Sequence, residues 1–172
     1  MSDPWDEEEV TEAKANGAVQ PGMITDAADV KTYVLAGNAH VTIVSKKTGT
    51  RFTYRVRSVP EDNGKGAITH FVSLLTAPDN ERSYTYFGWV ANFPDNGLTY
   101  RYGHRSTIAA SAPGVVAFDY FFRHVVLGGK SPADATLDVY HEGRCGACGR
   151  KLTVPESIAR GLGPECAGKR IG

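Results

Sequence analysis

No run of about 18 apolar residues occurs in this sequence, so no membrane span is expected. Several signatures of chemistry are missing as well. There is no Gly-x-Ser-x-Gly elbow, no His-Glu-x-x-His helix and no dinucleotide fingerprint. "GGKS" at 128–131 has the ending of a phosphate loop, but His124 stands where that loop requires its first glycine. The segment also follows a helical pattern instead of opening one. These absences remove the enzyme classes that short motifs reveal, and a non-enzymatic role is expected. "MSDPWDEEEV" at the N-terminus lacks the basic-then-apolar order of a secretion signal. Cysteine is scarce, with Cys145, Cys148 and Cys166 as the three. An odd count does not close a disulfide framework. In a chain without a secretion signal, three thiols read as metal ligands or free thiols in a reducing cytoplasm.

What is present is ordinary for a globular chain: 172 residues, 41% apolar and 22% charged. That length suffices to bury a core without metal holding the whole chain together. The net charge of zero hides an asymmetry. Residues 1–30 carry eight acidic side chains and one basic, and residues 31–172 carry 18 basic and 11 acidic. An acidic leader on a basic body is either a solvated tail or a segment that covers the basic surface until a partner displaces it.

Periodicity predicts an α+β fold, with a mostly antiparallel sheet packed against one main helix. A short helix fits residues 6–16 of the leader, and "KTYVLAG" (31–37) fits a strand or a short helix. "AHVTIVS" and "RFTYRVRSV" alternate apolar and polar residues around "KKTGT", where Gly49 supplies the turn. Phe52, Tyr54 and Val56 share one face of the second strand, and Arg51, Thr53, Arg55 and Arg57 share the other. A linker at 60–66 precedes a second hairpin, "AITHFVSLLTA" and "RSYTYFGWVAN" around "PDNE", and "GLTYRYG" adds a strand. "SAPGVVAFDYFFRHVVLGG" is the main helix, with Ser111 or Ala112 as cap, Pro113 in the first turn and Gly128 and Gly129 at its end. Val115, Phe118, Phe122 and Val126 recur at helical spacing toward the sheet, and Asp119 and Arg123 form an i, i+4 pair. "ATLDVYHEG" (135–143) is the last strand. The divisions expected are a flexible acidic leader at 1–30, an α+β domain at 31–138 and a zinc-binding element at 139–172.

Cys145-x2-Cys148 is a knuckle, in which two thiolates grip a zinc ion from a tight turn that Gly143, Gly146 and Gly149 permit. Cys166 follows with 17 residues between. Thr153 and Glu156 read as a capping box, and Pro164 places Cys166 in the first turn of a short helix, where the dipole favours thiolate. A closed tetrahedral site wants four ligands. His141, four residues before Cys145, is the first candidate for the fourth, and Glu142 is the second. His40, His70, His104 and His124 read as ordinary surface or half-buried side chains. One structural Zn2+ is thus expected on His141, Cys145, Cys148 and Cys166.

"CGACGRKLTVPESIARGLGPEC" resembles the C-terminal element of an uncharacterised family common in phage and mobile-element proteins, which reads C-x-x-C-G-R-x-L-T-x-P-x-S and then G-x-G-P-x-C. This chain matches at Cys145, Cys148, Gly149, Arg150, Leu152, Thr153, Pro155, Ser157, Gly161, Gly163, Pro164 and Cys166. The resemblance covers about 30 residues. It implies a treble-clef-like zinc element and a phage or mobile-element setting, and it supplies no catalytic residues.

Two partner classes follow. Nucleic acid is the first, because positive charge around a zinc knuckle commonly meets phosphate. Lys46, Lys47, Arg51, Arg55, Arg57, Arg144, Arg150, Lys151 and Arg160 are the candidate contacts, with Tyr84, Tyr86, Trp89, Tyr100 and Tyr102 as candidate stacking rings. Arg and Thr on the wet face of a strand also serve simply to solvate it, and strand aromatics often belong to the core. The second class is a host protein bound by a phage counter-defence factor. Retention on DNA that falls steeply with salt separates the two.

Overall fold

The computed structural model describes residues 22–60, 68–76, 83–93, 95, 97–148, 152 and 161–163. The expected leader helix, the linker at 60–66 beyond residue 60, the "PDNE" turn and the capping box at Thr153 lie outside them.

The α+β expectation holds. Elements follow the order α1 (Ala27–Val34), β1 (Asn38–Ser45), β2 (Arg51–Pro60), β3 (Ile68–Leu75), β4 (Tyr84–Phe93), β5 (Gly97–Tyr102), α2 (Pro113–Phe121) and β6 (Leu137–His141). One six-stranded sheet has the order β5-β4-β3-β2-β1-β6, antiparallel throughout. Strands β1 to β5 therefore form a meander, and β6 returns across the fold to pair with β1. The sheet curls around one face.

Alternation dictates that face. Ala39, Val41, Ile43, Tyr54, Val56, Val72, Val90, Leu137 and Val139 point inward, each at most 1% exposed. Helix α2 fills the hollow with Val115, Ala117, Phe118 and Phe121, and Gly114 is pinned beside Leu74, whose Cδ2 would lie 2.6 Å from an added Cβ. Tyr54 donates its hydroxyl to the Gly114 carbonyl at 2.6 Å, so the buried phenol is satisfied. Ala112 caps α2 without a side-chain bond, and the Asp119–Arg123 pair closes at 2.7 Å.

Two elements go beyond the reading of the sequence. The "KTYVLAG" region takes the helical of its two alternatives but begins earlier, at Ala27, because Asp26 caps it by accepting from the Asp29 amide. The main helix widens after Phe121 into a π-helical segment, Phe122–Leu127. Its inward residues recur every four positions: 117/118, 121/122 and 125/126. Four residues overshoot an α turn by about 40°. A wider turn brings the stripe back onto the sheet.

Candidate functional site

The sheet's outward face is built by the same alternation. Paired residues share a face, so Arg57 of β2 lies opposite Phe71 of β3, Phe71 opposite Trp89 of β4, and Trp89 opposite Arg101 of β5. The result is a transverse row, Arg57–Phe71–Trp89–Arg101. One step along, Arg55 lies opposite Ser73, which pairs with Tyr86 past a bulge at Val72/Ser73. That bulge lets Phe87 turn inward while Tyr86 and Trp89 remain outward.

The rings on this face touch one another and the cations. Phe71 meets Tyr86 edge-on at 6.0 Å, and Trp89 meets Phe93 at 5.7 Å. The Arg101 guanidinium lies 5.7 Å from the Phe93 ring, and that of Arg55 lies 5.0 Å from the Tyr84 ring. Tyr84 also meets the His40 ring at 5.6 Å. Small Ser73 in the intervening strand leaves room for these contacts. Among the described residues, no carboxylate forms an ion pair with Arg51, Arg55, Arg57 or Arg101. Phe71 is 40% exposed, a high value for a ring in the middle of a sheet.

The basic residues expected from the sequence divide into four groups. Arg51, Arg55 and Arg57 do share the outward face. Lys46 and Lys47 sit in the β1–β2 turn, where Lys46 reaches Asp138 at 3.6 Å. Arg144 is exposed beside the knuckle. Arg150, Lys151 and Arg160 lie outside the described residues. Arg101 was missed, though in "GLTYRYG" it alternates with the inward Tyr100 and Tyr102. Among the aromatics, Tyr84, Tyr86 and Trp89 are outward. Tyr100 is a correction: its ring packs on Phe118 at 5.1 Å, and burial pushes its phenol well above the ordinary value. Tyr102 donates to the Ile108 carbonyl at 2.5 Å on that same inner side.

A second cluster surrounds the knuckle. Cys145 is buried, and its sulfur accepts the Ala147 amide at 3.4 Å and the Cys148 amide at 3.5 Å. Burial pushes this thiol up, but the amides of Cys148, Gly163 and Ala147 and the Cys148 thiol outweigh it, bringing the pKa down to about 7. Gly143 (φ 86°) turns the chain into the knuckle, and its carbonyl accepts from the Leu152 amide at 2.9 Å. The knuckle is fastened to the domain. Asn38 bonds the Gly146 carbonyl through its amide (2.6 Å) and the Ala147 carbonyl through its side chain (2.9 Å), and Gly146 bonds the Gly161 carbonyl. Cys145, Leu152 and Leu162 form a small apolar cluster with Ala36.

His141 ends β6 on the inward side, 6% exposed, with its ring 5.7 Å from Tyr33. Its Nδ1 accepts the Gly143 amide at 2.9 Å. Among the described residues no three metal-binding side chains converge, so His141 is not drawn together with Cys145 and Cys148. Cys166 lies outside the described residues. Glu142, the other candidate for a fourth ligand, contacts His40 Nδ1 at 3.1 Å.

Among the described residues, no helix is long and apolar enough to cross a membrane. Residues 135–171 match the model of a family of unknown function (DUF6011). The match begins just before β6 and runs through the knuckle. No curated protein and no solved structure matches the chain.

Proposed function

We propose that this protein binds nucleic acid through the outward face of its sheet, and that its C-terminal segment is a structural zinc element in a phage-type accessory protein. The observation that carries the first part is the set of outward arginines, Arg51, Arg55, Arg57 and Arg101, with no ion-paired carboxylate among the described residues. A polyanion neutralises such a face by releasing its own counterions, and affinity then falls with salt. Arg144 and Lys47, both exposed, extend the positive surface toward the knuckle and the β1–β2 turn. Triple replacement of Arg51, Arg55 and Arg57 by Ala should lower affinity for a DNA duplex at 100 mM salt and flatten its salt dependence. Fluorescence anisotropy measures both. Unchanged binding would place the contact elsewhere.

The cysteine chemistry fits a metal at half of its ligand set. Amide bonds to the Cys145 sulfur favour thiolate, the form that ligates zinc, and Cys148 shares that turn. Cys166 and His141 complete the proposed set, with His141 giving up its bond from the Gly143 amide in order to ligate. Zinc held there supplies a cross-link between the knuckle and the end of the chain. Elemental analysis of the purified protein should find one zinc per chain, lost in Cys148→Ser. Full zinc content in His141→Ala would remove His141 from the set.

A further inference from the structure

The outward face carries more than charge, and this separates single strands from duplexes. We infer that the face binds single-stranded nucleic acid, with bases stacking on Phe71 and Trp89 and the flanking arginines holding the phosphates. The inference rests on the nucleic-acid reading above and names its substrate class.

The argument starts from the transverse row. Neighbouring strands lie about 4.8 Å apart, so Arg57–Phe71–Trp89–Arg101 spans roughly 14 Å with a cation at each end and two rings between. A face that only tracks the backbone of a duplex needs cations and small polar donors there. Duplex bases stack on each other and present no ring face to a sheet. Unpaired bases do, and stacking on aromatic side chains is sequence-tolerant. Phe71 at 40% exposure and Val59, diagonally across on β2 at 41%, give an apolar surface that water covers at a cost. The rings are held in place by others: Tyr86 against Phe71, and Phe93 against Trp89. Such support fixes a platform before a ligand arrives. Charge complementarity favours a polyanion over an apolar protein partner. The arginines at both ends of the row and Arg55 beside it have no ion-pair partner among the described residues, and two acidic side chains near the face, Asp138 and Glu142, are engaged by Lys46 and His40.

The test uses the full chain and three fluorescent probes: a dT15 strand, a U15 strand and a 15-base-pair duplex, titrated at 100 mM salt. Wild type should bind a single strand at least about tenfold more tightly than the duplex. One aromatic stack contributes about 1–3 kcal/mol, so Phe71→Ala should weaken single-strand binding by about tenfold or more and change duplex binding less than twofold. Phe71→Leu keeps apolar bulk without a ring face and should behave like Phe71→Ala. Trp89→Phe keeps a ring and should retain most of the affinity. Preference between dT15 and U15 identifies which kind of single strand is held. Equal affinity for single strand and duplex, or full single-strand affinity in Phe71→Leu, overturns the stacking inference while leaving the basic-face reading intact. Absence of binding to all three probes overturns both.

Discussion

Phe118 shows how much of this fold depends on one side chain. Its ring lies 5.1 Å from Tyr54, 5.7 Å from Phe87, 5.1 Å from Tyr100, 5.8 Å from Phe121 and 6.1 Å from Phe122. It is fully buried and joins β2, β4, β5 and its own helix. Phe118→Ala leaves a cavity that these rigid rings cannot refill, and should cost about 3–5 kcal/mol in urea unfolding. A loss under 1 kcal/mol would mean that the helix does not seat there. His70 carries a different residue-scale prediction. It is buried in β3 against Ser58, with 2.5 Å between its Nδ1 and the hydroxyl, and burial holds its pKa below the ordinary 6.5. The unfolded chain takes up that proton near pH 6.5, whereas the folded chain does so only at lower pH. Between those values the unfolded state binds more protons, so stability falls as pH drops below 6.5 toward the folded pKa. His70→Gln keeps a hydrogen-bonding group and removes the titration. Its stability relative to wild type should rise as pH goes from 7 to 5, and parallel curves would show that His70 is not shielded.

At the scale of elements, the contact between knuckle and helix is the most exacting. A Cβ at Gly146 would fall 2.6 Å from Tyr33 Cδ1, and one at Gly161 (φ 75°) 2.5 Å from the same atom. The ring is fixed because its hydroxyl donates to the His40 carbonyl at 2.8 Å and accepts the His40 amide at 3.0 Å. Gly146→Ala should therefore push the knuckle off α1, lower stability by about 1–3 kcal/mol and speed hydrogen exchange at residues 143–148. Gly163→Ala, with nothing within 4 Å, is the control expected to have little effect. This contact was not legible in the sequence, because Tyr33 and Gly146 are joined only by the fold. The strands were legible from alternation, most clearly in "RFTYRVRSV", and so was the inward stripe of α2. Alternation does not say which face is the core, and that is why Tyr100 and Tyr102 stood among the candidate stacking rings although both point inward. The bulge at Val72/Ser73 shifts the phase within β4, and in "RSYTYFGWVAN" Gly88, beside the extra residue Phe87, is the signal for it that the alternation reading passed over. Asp26 did announce the start of α1, with Val30, Tyr33 and Val34 at helical spacing after it. Its acidity placed it with the leader instead. The knuckle's two cysteines and their glycines were plain from spacing, whereas the bond between His141 and Gly143 depends on where β6 ends.

For the whole molecule, charge is the property that one sheet face and one terminal segment share. Residues 1–21 carry six acidic side chains and one basic, so the remainder of this neutral chain has a net charge of +5. A tethered anionic segment competes with any polyanion for the same counterion-rich surface, whatever conformation it adopts. Removing residues 2–21 should therefore tighten binding of a dT15 strand by about 3–10-fold at 50 mM salt, where the Debye length is still longer than a side chain. The gain should shrink steadily and vanish near 400 mM, because screening weakens competitor and ligand alike. Anisotropy titrations of the full and shortened chains across that range measure it. The arginine face predicts a further difference. With Arg51, Arg55 and Arg57 replaced by Ala, deletion should no longer tighten binding, since both anions have lost the surface they compete for. A gain that persists in that background would assign the acidic segment's effect to general repulsion and not to occupancy of the face. A gain that is independent of salt would exclude electrostatic competition altogether.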